Sequence, residues 1–193
     1  LMKKLFMGLM AIIMATIIAF GGGNISPVAP VVEGGTGFYA GGMVGGIQNY
    51  ESGDLDWFND GANNFSNPAI GADIGYTFYN GDLLFAAIEG RVLTTFNAED
   101  ADTTIYGMYL KPGFKTTDNI KLYGLFGGSY VRWNVGSVSE HKTGASFGGG
   151  VSYALSNSVE VFTDYTCNLW EVDALNNGKL NTDSVVVGFN YKF

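Results

Sequence analysis

Ser184-Val185-Val186-Val187-Gly188-Phe189-Asn190-Tyr191-Lys192-Phe193 alternates with a period of two. Val185, Val187, Phe189, Tyr191 and Phe193 share one face. Ser184, Gly188, Asn190 and Lys192 share the other, with Val186 as the exception. Side chains alternate in this way along a strand that has one apolar and one polar face. A soluble sheet hides its apolar face under a second layer, whereas a membrane barrel turns that face toward lipid.

The same pattern recurs upstream. Seven further strands are expected at Phe38–Gln48, Ala69–Phe78, Leu83–Leu93, Thr103–Lys115, Ile120–Trp133, Ala145–Leu155 and Val159–Trp170, with the eighth at Thr182–Phe193. The spans run to about 10–13 residues. Ordinary strands average ~5–6, and membrane-crossing strands need ~9–11. The parity of the first and fifth strands is not fixed by the residues. Connections alternate in length. Asn49–Asn67, Thr94–Ala101, Asn134–Thr143 and Glu171–Asn181 are long or medium, while Tyr79–Asp82, Thr116–Asn119 and Ser156–Ser158 are tight. Asn80-Gly81 is a strong hairpin signal. These features predict an all-β fold, an eight-stranded antiparallel up-and-down transmembrane barrel with its long loops outside.

Charge decides which face points where. Asp73, Glu89, Arg91, Lys111, Glu160, Asp164 and Lys192 lie on the polar parity, and the opposite parity of the same five strands reads as free of charge. A water-facing exterior without charge would not be soluble. Charges of both signs inside a narrow bore must pair. An inward network of these seven residues against a lipid-facing apolar wall meets both conditions. Inward glycines are expected to make room for Arg91, Lys111 and Tyr109, because an eight-stranded bore barely holds side chains. The paired charges read as a plug, and a narrow pore is the alternative. Tyr76, Phe78, Phe114, Tyr153, Tyr191 and Phe193 are expected to form an aromatic girdle near the short turns.

Composition agrees. Glycine is abundant (29 residues) and proline scarce (4), without the strict Gly-X-Y period of collagen. Eighteen acidic against 10 basic residues give a formal charge of −8, which leaves no basic patch for nucleic acid. Lys3 and Lys4 followed by the apolar run Leu5–Phe20 read as a signal peptide over residues 1–21, cleaved after Gly21. The run is shorter than the ~20 residues of a spanning helix, and no positive stop-transfer cluster follows. Residues 22–36 read as a flexible lead-in, and residues 37–193 as the barrel.

With its Lys-Lys signal, its first strand opening Gly37-Phe38-Tyr39-Ala40-Gly41-Gly42, eight alternating strands and a terminal Tyr191-Lys192-Phe193, the chain resembles the small outer-membrane β-barrel family. That family includes the OmpA membrane domain and its OmpX-like relatives. The resemblance implies the outer membrane of a Gram-negative bacterium, with lipid and lipopolysaccharide as surroundings. It also implies that Tyr191 and Phe193 belong to a signal read by the barrel-assembly machinery. The resemblance is strong for fold and weak for activity.

The chemistry-bearing residues point away from catalysis. His141, the single histidine, is expected in an outer loop beside Ser139 and Glu140. Some eight-stranded barrels that modify lipid A use His with Ser. A Ser–His nucleophile needs fixed geometry and a third orienting group, and two loop neighbours do not supply it. Asp54-Leu55-Asp56-Trp57-Phe58-Asn59-Asp60 lacks the central Gly and closing Glu of a calcium loop. Asp54, Asp56, Trp57, Phe58 and Asp60 read instead as surface-loop contacts for ions, lipopolysaccharide or partners. Cys167 is expected to face lipid. No catalytic residue, metal or cofactor is expected, and the protein is expected to be a monomer. The function read from the sequence is envelope structure with surface-loop interactions. The alternatives are a narrow channel and a lipid A-modifying enzyme.

Overall fold

The computed structural model describes residues 35–52, 64–96, 102–135, 138–171 and 179–193. Every regular element among them is a strand: β1 (Gly37–Ser52), β2 (Asn64–Asn80), β3 (Leu84–Thr95), β4 (Asp102–Lys115), β5 (Ile120–Val135), β6 (Val138–Ala154), β7 (Val159–Glu171) and β8 (Lys179–Lys192). Each strand pairs antiparallel with its neighbours in sequence, and β8 pairs with β1 to close the barrel. The closing register runs from Tyr39↔Lys192 to Ser52↔Lys179. The expected signal peptide and the Asp54–Asp60 contacts lie outside the described residues.

Alternation sets the wall. On β3, Phe85, Ala87, Glu89, Arg91, Leu93 and Thr95 are buried, while the residues between them are half-buried or exposed. Phe38, Ile74, Met108, Phe126 and Phe189 are each more than half exposed on the outer surface. A wall of that kind is stable only against an apolar medium. β1 turns Tyr39, Met43 and Ile47 inward, and β5 turns Tyr123, Leu125, Ser129, Val131 and Trp133 inward.

The tight turns gather at one rim. Leu155 N–H donates to Val159 O at 2.9 Å, and Ser156 Oγ accepts from Val159 N–H at 3.1 Å. Thr117 Oγ1 accepts from Ile120 N–H at 3.1 Å in the same manner. Such hydroxyl caps make short turns of Ser and Thr without glycine. At this rim Phe38 lies 4.8 Å from Tyr76, and Tyr191 lies 5.3 Å from Phe193, between ring centroids. Phe193 N–H donates to Phe38 O at 3.0 Å, fastening the final residue to the first strand.

Two expectations change, loop length and charge parity: β1 runs on to Ser52, β2 starts at Asn64 and β8 at Lys179, inside the loops expected over Asn49–Asn67 and Glu171–Asn181. The loop expected over Asn134–Thr143 is mostly strand, since β5 and β6 stay paired as far as Val135↔Val138. Polar residues there look like loop because the period-two signal needs lipid on one side. The pairing continues there without the pattern. The apolar parity is also not free of charge, because Asp183 lies on it, directly across from Cys167. Asp183 sits near the outer end of β8, where the wall turns polar.

Candidate functional site

The strands bring the seven inward charges into two groups, with one residue left outside both. In the deep group Glu89 is fully buried. Its Oε1 accepts from Arg91 Nη2 at 2.7 Å. Its Oε2 accepts from Lys111 Nζ and from the Tyr39 hydroxyl, each at 2.9 Å. Arg91 Nη2 also donates to Asp164 Oδ2. Asp164 Oδ1 accepts from the Tyr123 hydroxyl at 2.6 Å. Lys111 Nζ stands 4.2 Å from the centre of the Tyr123 ring, a cation–π contact out of water. Two carboxylates, two cations and two phenols are thus linked across β1, β3, β4, β5 and β7, with Nη2 the one guanidinium nitrogen of Arg91 that takes part.

The second group lies at the short-turn rim. Glu160 Oε2 receives both Lys121 Nζ at 2.8 Å and Lys192 Nζ at 2.6 Å. These lysine side chains keep 17% and 29% of their surface in solvent, so water relieves their mutual repulsion. Asp73 is buried and has no ion pair among the described residues. The Asn190 amide, oriented to donate, reaches Asp73 Oδ1 at 2.7 Å. Asp73 Oδ2 has no partner among the described residues. Together Asp73, Glu89, Glu160 and Asp164 balance Arg91, Lys111, Lys121 and Lys192.

Inward glycines make the space, but for rings more than for cations. A Cβ on Gly75 would overlap the Tyr39 ring, and one on Gly188 would overlap the Phe162 ring. A Cβ on Gly107 would overlap Tyr109, the one expected beneficiary for which this holds. Arg91 and Lys111 are accommodated by the carboxylates and phenols around them.

The outer half of the bore is built differently. Met43, Ile47, Leu93, Ile105, Val131 and Trp133 join Trp170 and Val186 in one buried cluster, with Trp133 and Trp170 edge-to-face at 6.0 Å. Hydroxyls and amides line its flank. Trp170 Nε1 donates to Thr182 Oγ1 at 3.0 Å, and Thr182 Oγ1 donates to Asn49 Oδ1 at 2.7 Å. Ser146 Oγ donates to Asn168 Oδ1 at 2.6 Å.

Tyr39, Lys121, Tyr123, Trp133 and the apolar collar were not assigned to the interior from the sequence. Four of these five features depend on β1 or β5, whose parity was open. Leu93, Ile105 and Trp170 sit on the polar parity of strands whose charges drew the reading.

His141 and Ser139 are both in β6, two residues apart, and not in a loop. His141 is exposed, with its ring 5.7 Å from Tyr130. Cys167 lies on the outward parity of β7, half-buried. Among the described residues no group of three or more His, Cys, Asp or Glu could hold a metal ion.

A family model described as "Outer membrane protein beta-barrel domain" matches residues 15–193. No curated protein sequence matches the chain. Among solved structures, the chain is similar to Neisserial surface protein A at 21% identity, covering 83% of this chain and 100% of that one, with a TM-score of 0.53. It is similar to Ail, the attachment invasion locus protein of Yersinia pestis, at 18% identity, covering 79% and 98%, with a TM-score of 0.51. The N-terminal barrel domain of Pseudomonas aeruginosa OprF follows at 13% identity, covering 82% and 100%, also with a TM-score of 0.51. At these identities the likeness is one of fold.

Proposed function

We infer that this chain, which belongs to the outer membrane protein beta-barrel family, is a sealed, non-enzymatic barrel of a Gram-negative outer membrane. It is delivered by a cleaved signal peptide, and its role is exercised by its outer wall and loops. The single observation that carries this reading is the filled bore. A charge-balanced layer closes its middle, and an apolar collar closes its outer half. An ion entering from outside would have to shed water against Trp133, Trp170 and Ile47, then break pairs that hold one another. With the interior committed to packing, contacts are left to the outer surface, where lipopolysaccharide and loop partners are the natural counterparts. Tyr191 and Phe193 serve as the assembly signal in this reading, and the barrel acts as a monomer.

Conductance of the purified full-length protein in planar bilayers tests it. The expected record is a closed baseline. A stable, large open pore in every insertion overturns the reading.

A second reading, modification of lipid A, draws on one observation. Ser139 and His141 lie two residues apart in β6, close to its paired end at Val135↔Val138, and His141 is exposed. Mass spectrometry of lipid A from cells expressing the wild type or the S139A/H141A variant decides it. An acyl-chain difference between the two would establish the enzyme.

A further inference from the structure

Arg91 is only half used by its carboxylates. Nη2 serves both Glu89 and Asp164. Nε and Nη1 are buried and have no acceptor among the described residues. A buried guanidinium edge without an acceptor costs the full desolvation of its N–H groups, and each such group in a native structure calls for a partner. Arg91 also lines a cavity that admits the centre of a water-sized sphere over about 10 Å³. Tyr109, Thr166, Asn168 and Ser184 line that cavity with Leu93 and Ile105, and the Thr166 and Ser184 hydroxyls bond each other, which leaves lone pairs on their oxygens.

We propose that this cavity is a binding site for one water molecule, held by Arg91 between the charge layer and the apolar collar. Volume is the first reason. About 10–15 Å³ of such space is what a single water needs. Charge is the second. Arg91 already has Glu89 and Asp164, and Lys111 has Glu89. A halide would therefore add a negative charge that no remaining cation answers. A neutral acceptor meets the need of the N–H groups without disturbing that balance. Its own protons have hydroxyl oxygens of Tyr109, Thr166 or Ser184 as acceptors, giving the three or so partners that buried waters keep. The water joins the charge layer to the hydroxyl belt and stops at the collar, so hydration of the bore ends there.

The test uses the full-length protein crystallised with sodium bromide in place of chloride. The expected density is one peak in the cavity, 2.7–3.2 Å from Arg91 Nε or Nη1, without anomalous signal at the bromine edge. An anomalous peak makes the site an anion site and overturns the proposal, as does the absence of any peak. In micelles, the Arg91 Nε–H resonance should show a cross-relaxation peak to a long-lived water. That peak should persist when chloride is exchanged for a larger anion. Its absence in the folded barrel also overturns the proposal.

Discussion

Glu89 and Glu160 each hold two cations, and their different depths predict very different consequences of losing them. Glu89→Ala leaves Lys111 with no carboxylate, Arg91 with one, and the Tyr39 hydroxyl with no acceptor. All of these groups are buried, with Lys111 only 5% exposed at its side chain. Removing one member of a buried ion group costs about 3–5 kcal/mol, a fall of roughly two to four decades in the folded-to-unfolded ratio. Glu160→Ala also strands two ammonium groups, but Lys121 and Lys192 already reach solvent. Partly exposed pairs are worth ~0.2–1 kcal/mol each, so the expected loss is about 1 kcal/mol. The assay is reversible urea unfolding of the refolded barrel in lipid vesicles, followed by tryptophan fluorescence and by gel mobility of unboiled samples. The double substitution Glu89→Met with Lys111→Met leaves Arg91 and Asp164 as a balanced pair. It should recover much of the stability lost in the single variant. Equal losses for Glu89→Ala and Glu160→Ala, or a double variant no better than the single, would refute depth as the controlling variable.

Gly75→Ala should push the Tyr39 ring off Glu89 and cost about 1–3 kcal/mol as an overpacked site, measured in the same unfolding assay; an unchanged midpoint would contradict the ring-over-glycine packing. Trp133→Ala with Trp170→Ala removes the largest side chains of the collar. Brief conductance events should appear in planar bilayers more often than in Arg91→Ala, and the opposite order would move the seal to the charge layer. Phe193→Ala should lower the yield of assembled barrel in cells, scored by heat-modifiable mobility, more than it shifts the urea midpoint of barrel refolded in vitro. A large midpoint shift with normal yield would assign Phe193 to packing alone.

The apolar stripe of Val185, Val187, Phe189, Tyr191 and Phe193 was legible because lipid imposes one rule along a whole face. Asp73, Glu89, Arg91, Lys111 and Asp164 were legible for the same reason, since charge is tolerated on the other face alone. Their partners were not. β1 carries glycine at 41, 42, 45 and 46, on both parities, so Tyr39 had no pattern to stand against. β5 has Leu122 and Phe126 outward but Tyr123 and Leu125 inward, which are equally apolar. A bore filled with rings and a wall facing lipid ask for the same residues there. Nor does sequence separation hint that Tyr39 meets Glu89, or Tyr123 meets Asp164. Barrel closure sets those pairs. The outer ends of β5 and β6 escaped for a further reason, because Asn134, Ser139, Glu140, His141 and Lys142 break the apolar alternation that marks a strand.

The reach of those outer ends has a consequence beyond the membrane. β5 spans 16 residues and β6 17. At ~3.3 Å per residue and a tilt of roughly 40°, the hairpin stands about 40 Å along the membrane normal. The apolar band accounts for about 25 Å of that. The remainder, on the order of 15 Å, is hydrogen-bonded ribbon, a stiff mast beyond the apolar band. The paired ends Val135 and Val138 stand at the top of that ribbon. Adding or deleting one residue pair on each strand would raise or lower them by about 5 Å. Reach into the surroundings is thereby an adjustable dimension of this barrel, independent of the packing of its interior.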